Sequence, residues 1–157
     1  MEIAIPQLIF SLLLCYSVAF LGGIVTYPSL KSWYEALHKP FFTPPNWVFG
    51  PVWTLLYTFM GISLYIIWST KVDNTKRSRA IGGFGLQLLL NFLWTYIFFG
   101  LHFPLIALFV IGGLLWMIVF TIRRFFPIAK VAAYLLFPYL IWVAYATLLN
   151  LGIVFLN

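Results

Sequence analysis

Acid-base chemistry is sparse in this chain: three acids (Glu2, Glu35, Asp73), two histidines (His38, His102) and one cysteine, Cys15, in 157 residues. No acid lies within an apolar stretch, so no carboxylate is placed to carry a proton, hold a cation or act as general base in a low-dielectric interior. That argues against proton-coupled pumping. His38 and His102 stand in connectors, where a histidine is ordinarily an interfacial side chain, although either imidazole could reach a tetrapyrrole iron. Cys15 has no disulfide partner in the chain and reads as a small buried apolar group. No nucleophile elbow, phosphate loop, dinucleotide fingerprint or HExxH pattern occurs, and neither a metal site nor a cofactor is expected.

What remains is aromatic: seven tryptophans and nine tyrosines. Trp47 and Trp68 fit the usual role of anchors at a membrane interface. Trp94 and Trp142 lie deeper and belong to helical stripes. Gln87, Asn91, Trp94 and Phe98 repeat at i, i+4, i+7, i+11, and Trp142, Ala146 and Asn150 at i, i+4, i+8. Two readings stay open: the amides bond to a neighbouring helix, or amide and ring face a cavity that takes a flat apolar molecule. Ala19, Gly22, Gly23 and Thr26 likewise put small side chains on one face, for a packed helix or for a ligand.

These stripes need helices to carry them. With 64% hydrophobic and 8% charged residues, the chain is far from the roughly 25% charged composition of soluble domains. Five apolar runs, roughly 5–27, 46–69, 80–100, 104–122 and 131–156, are each long enough to cross a bilayer. The predicted fold is an all-α integral membrane protein, a single five-transmembrane-helix bundle forming one domain over 1–157. No alternating strand pattern suggests a β-barrel. The first run has no basic flank before it and is expected to be a mature helix rather than a leader.

The net charge of +6 reads as orientation rather than as a nucleic-acid surface. Lys71, Lys76, Arg77 and Arg79 fill the second connector, and Arg123, Arg124 and Lys130 the fourth, against Lys31 and Lys39 alone in the first. The positive-inside rule puts the N-terminus in the cytoplasm and the C-terminus outside. The short third connector, around His102, makes the helices on either side antiparallel neighbours.

The first connector, 28–45, is the most unusual segment. From Trp33 to Trp53 it carries three tryptophans, three phenylalanines and four prolines, more than joining two helices requires. It is expected to act as a lid. Asn46 is a candidate N-cap for the second helix, and Pro51, about one turn in, either frees the carbonyl of Trp47 or bends the helix.

Taken together, Trp33-Tyr34, Leu37-His38-Lys39-Pro40, Pro44-Pro45 and the run from Val48 through Gly50-Pro51-Val52-Trp53 to Tyr57 resemble the signature of the TspO/MBR family. This is the family of tryptophan-rich sensory proteins, translocator proteins and peripheral-type benzodiazepine receptors. The blocks Gln87, Asn91, Trp94, Phe98-Phe99-Gly100 and Pro138–Trp142, Ala146-Thr147, Leu149-Asn150 agree in order over nearly the whole chain. The resemblance implies a membrane receptor or sensor, commonly a homodimer, whose pocket binds porphyrins, sterols and synthetic benzodiazepine-type ligands. Carried over, the pocket residues are Trp53, Asn91, Trp94, Trp142 and Ala146, with Trp33 and Pro45 closing over them. Some bacterial relatives are reported to degrade protoporphyrin in light, and the tryptophans implicated correspond to Trp53 and Trp142. A porphyrin-degrading enzyme is therefore one alternative, and a tetrapyrrole or sterol transporter a second. Missing intramembrane charges and inverted repeats argue against transport. After Asn150 the chain departs from the animal members' sterol pattern, having neither Tyr nor a basic residue. That favours a tetrapyrrole role in a bacterial cell membrane over a sterol role in a mitochondrial outer membrane.

Overall fold

A computed structural model describes residues 4–157, all helix, turn and connector, with no strand among them. Five stretches are long and apolar enough to cross a membrane: Ile5–Leu30, Asn46–Ser69, Asn74–Gly100, Pro104–Phe125 and Lys130–Leu156. The first is one helix, α1 (Ile5–Leu30). It runs past Pro28, beyond the expected end at 27, because proline suits helical φ and forfeits a single hydrogen bond near the helix end. A one-turn helix, α2 (Trp33–Ala36), follows inside the connector.

A 3₁₀ turn at Asn46–Val48 leads into α3 (Phe49–Ser69), and the Asn46 side chain makes no capping bond. Pro51 is thus the third residue of α3. The N–H groups of a first helical turn have no partners within the helix, so its missing donor calls for no bend. α4 (Asn74–Thr95) begins six residues before the expected start at 80. The Asp73 carboxylate accepts from the Thr75 and Lys76 amides at 3.0 and 3.2 Å, and this cap lets the helix start within the basic connector. α4 continues through a π-helical turn, Tyr96–Gly100. His102, with φ of 60°, then turns the chain in the left-handed region before α5 (Pro104–Phe125).

The expected last helix, 131–156, is divided into α6 (Lys130–Leu135) and α7 (Phe137–Leu156). Pro138 has no N–H for the Tyr134 carbonyl, and the Leu136 amide turns back to Ala133 at 3.1 Å, so the helix breaks there.

α4 and α5 pack most extensively, followed by α1 with α3 and α5 with α7. Small residues set the close approaches. A Cβ on Gly83 would sit 3.1 Å from the Phe120 ring, and one on Gly61 would sit 2.7 Å from Leu12 Cδ2. Met60, Ile67, Ile111, Leu114 and Ile118 are fully enclosed. α1 and α5 turn Phe20, Phe109 and Trp116 outward, an apolar exterior suited to lipid tails, where helices close their own backbone bonds.

The connector between α1 and α3 is tied to α7. The Asn157 side chain accepts from the His38 amide at 3.1 Å and donates to the His38 carbonyl at 2.9 Å. Tyr145 OH donates to the Phe42 carbonyl, and Pro40 lies so close to Gly152 that a Cβ there would fall 2.3 Å from the proline Cγ. Lys39 Nζ donates to the Tyr34, Glu35 and Leu37 carbonyls and sits 4.8 Å above the Tyr34 ring. Burial, with a smaller contribution from Tyr145, pushes the Tyr34 phenol up to about 12. It therefore stays neutral at physiological pH.

Candidate functional site: an apolar pocket between the helices

A cavity of about 450 Å³ opens in the connector half of the bundle, within the roughly 300–1,000 Å³ range of small-molecule pockets. α1 contributes its small face, Ala19, Gly22, Gly23 and Thr26, with Tyr27 and Leu30. α3 and the turn before it contribute Asn46, Trp47, Phe49, Gly50, Trp53, Thr54 and Tyr57. Asn91, Trp94 and Thr95 come from α4, Phe99 from the π turn, and Trp142 and Ala146 from α7. The spacing explains the convergence. Gly50, Trp53 and Tyr57 lie at i, i+3, i+7 on α3, and Asn91, Trp94 and Thr95 at i, i+3, i+4 on α4, each set on one helical face.

Behind the wall runs a buried chain of hydrogen bonds. Tyr57 OH donates to Asn91 Oδ1 at 3.2 Å, Asn91 Nδ2 donates to Tyr139 OH at 2.8 Å, and Tyr139 OH donates to Gln87 Oε1 at 2.7 Å. Trp94 Nε1 donates to Asn150 Oδ1 at 3.1 Å, and Asn150 Nδ2 donates to the Pro104 carbonyl at 2.8 Å. The amides therefore join helices, and Asn91 borders the cavity as well. Trp94 offers an occupant its ring rather than its N–H. Trp142 differs: its indole N–H is buried without a hydrogen-bond partner among the described residues.

Of the residues named from sequence, Trp53, Asn91, Trp94, Trp142 and Ala146 share this cavity, whereas Trp33 and Pro45 do not border it. Trp33 stacks on the His102 ring with centroids 4.4 Å apart and meets Phe98 edge-on. His102 Nε2 is 3.3 Å from Ser29 Oγ. Pro45 sets the extended approach to the 3₁₀ turn. Both residues shape the connector. Tyr57 and Thr95 line the cavity without being expected there from sequence. Each lies four residues after a residue singled out there, Trp53 and Asn91, so helical spacing alone held the signal.

Fold and pocket define a multi-pass helical membrane protein with a ligand-sized, mostly apolar cavity inside its bundle. The TspO/MBR family profile matches residues 11–156. The chain is 45% identical over 153 residues to tryptophan-rich protein TspO of Archaeoglobus fulgidus, covering 98% of each chain. It is 42% identical over 146 residues to the protein of the same name from Chlorobaculum tepidum, covering 92% of this chain and 91% of that one. It is also 36% identical over 135 residues to the human translocator protein, covering 83% of this chain and 78% of the human one. The chain belongs to the TspO/MBR family, and that membership supports a membrane sensor or translocator role.

Proposed function

We propose that this protein is a membrane receptor that binds a porphyrin or a similarly flat, largely apolar molecule in the cavity between α1, α3, α4 and α7. One observation carries the reading: a cavity of about 450 Å³ walled by the rings of Trp53, Trp94 and Trp142. Aromatic walls suit a planar π-system. Lys31 stands with Nζ 4.9 Å over the Tyr27 ring, beside a residue of the wall, where it can meet the carboxylate edge of a tetrapyrrole. A sterol offers it no such group. Protoporphyrin is expected to quench tryptophan fluorescence saturably, with about tenfold weaker affinity in Trp142→Ala and a smaller loss in Lys31→Gln. Equal affinity in wild type and Trp142→Ala would remove the site. As a homodimer, the protein would have the exposed Gly82 and Gly85 of α4 available for close helix contact, since the small face of α1 borders the cavity.

A second reading is oxidative breakdown of the bound tetrapyrrole by dioxygen in light. The Trp53 ring lies 5.7 Å from Tyr57 and 6.3 Å from Tyr139, centroid to centroid, a file of oxidisable side chains leading away from the cavity. This reading expects a defined product under illumination that Trp53→Phe suppresses while binding survives. The same products with free tryptophan would count against it.

A further inference from the structure

α1 and α3 run antiparallel and close against each other at the end away from the connector. There Gly61 admits Leu12, whose Cα would stand 3.1 Å from an added Cβ, and Tyr16 OH shares a hydrogen bond with Thr58 Oγ1. Continuing this register by one turn at a time places Ala19 and Gly23 opposite Thr54 and Gly50, and Tyr27 opposite Trp47. All six residues border the cavity. At this end the helices part: an added Cβ on Gly23 or Gly50 would meet nothing within 4 Å. Tyr27 and Trp47 are 65% and 75% exposed, whereas Asn91, Trp94 and Ala146 across the cavity are buried. Gly23 is seven residues inside the end of α1, about 10 Å at 1.5 Å per residue, so the gap opens at the depth of lipid chains rather than into water.

The other way in would be under the connector. That route requires breaking both His38–Asn157 bonds and the Tyr145–Phe42 bond, and lifting Pro40 off Gly152. The gap between α1 and α3 requires only that exposed rings swing aside.

We propose that this gap is the ligand's door: a flat, membrane-dissolved molecule passes edge-on between Gly23 and Gly50 from the lipid, with Tyr27 and Trp47 as gateposts. The nature of the ligand rests on the receptor reading above; the door does not. Gly23 and Gly50 facing each other leave open space between the helices, and the aromatic gateposts Tyr27 and Trp47 stand one turn nearer the headgroups. The connector is then a fixed cover, and selection acts on molecules already partitioned into the bilayer.

The test uses the full chain in phosphatidylcholine vesicles with Cys15→Ala, carrying Gly23→Cys and Gly50→Cys joined by a cleavable bis-maleimide. Bridging the empty protein should slow protoporphyrin uptake by about tenfold or more, bridging the loaded protein should slow release alike, and cleavage should restore both. Freeing the connector with Asn157→Ala and Tyr145→Phe should leave both rates within about twofold. Rates indifferent to the bridge, or accelerated by freeing the connector, would overturn the door. A second measurement needs no porphyrin: Ala146→Cys, on the far wall, should react with an uncharged, bilayer-soluble maleimide, and more slowly when Gly50→Trp fills the gap. Faster reaction with a charged, water-soluble maleimide, or no effect of Gly50→Trp, would overturn the door as well. Failure of wild-type protein to bind protoporphyrin, with the Ala146→Cys result as expected, would instead remove only the porphyrin reading.

Discussion

Asn91 holds four helices' interests in one amide. Its oxygen takes the Tyr57 hydroxyl of α3, its nitrogen gives to Tyr139 of α7, which passes on to Gln87 of its own helix, and its side chain borders the cavity whose opposite wall is α1. Asn91→Ala therefore leaves Tyr57 short of an acceptor in a buried site. The expected loss is about 1–3 kcal/mol of stability, read as a lower unfolding midpoint in detergent titration, together with weaker porphyrin quenching. An unchanged midpoint would mean that the hydroxyls find other partners. The stripe from Gln87 to Phe98 was legible in the sequence because helical spacing fixes which residues share a face. The partners of that stripe were not legible. Tyr57 and Tyr139 stand 34 and 48 positions from Asn91, and nothing local in a sequence joins residues at that separation. For the same reason Trp33 looked like a cover for the pocket, whereas its ring is held by His102 and Phe98.

Among the elements, α1 packs chiefly against α3. Its outward face is exposed for much of its length, and its contact with α3 depends on Gly61 receiving Leu12. Gly61→Ala sets a Cβ against Leu12 backbone as well as side chain, so α1 must shift outward. Overpacking of this kind costs about 1–3 kcal/mol, and it should also loosen the Tyr16–Thr58 bond and raise the rate of protease cleavage in the first connector. Proteolysis at the wild-type rate would contradict this account of how α1 is seated. Element boundaries moved from their expected places for reasons of capping and proline geometry. Asp73 starts α4 early, Pro28 fails to stop α1, and Pro138 splits the last span at Leu136. A proline in a sequence marks a lost donor, but whether the chain bends, breaks or passes depends on whether the orphaned carbonyl lies at an end or in the middle of a helix.

For the whole molecule, five spans and a basic bias of the second and fourth connectors propose a cytoplasmic N-terminus. Lys76→Cys should then be labelled from the cytoplasmic side of inverted vesicles and Glu35→Cys from the opposite side, with a membrane-impermeant maleimide; the reverse pattern would invert the topology. The apolar composition, the run lengths and the scarcity of charge committed this chain to a helical membrane protein by themselves. A bilayer offers backbone groups no partners, so a long apolar run has little choice but helix. The same sequence also held the aromatic and amide stripes, because periodicity is local. What only the tertiary structure decided is how the stripes meet: that the small face of α1 borders a cavity, that the connector is fastened to α7 through Asn157, Tyr145 and Gly152, and that α1 and α3 close at one end and part at the other. Those are matters of distance between residues far apart in the chain, set by side-chain volume at contacts such as Leu12 on Gly61, and volume acts only once the helices are packed.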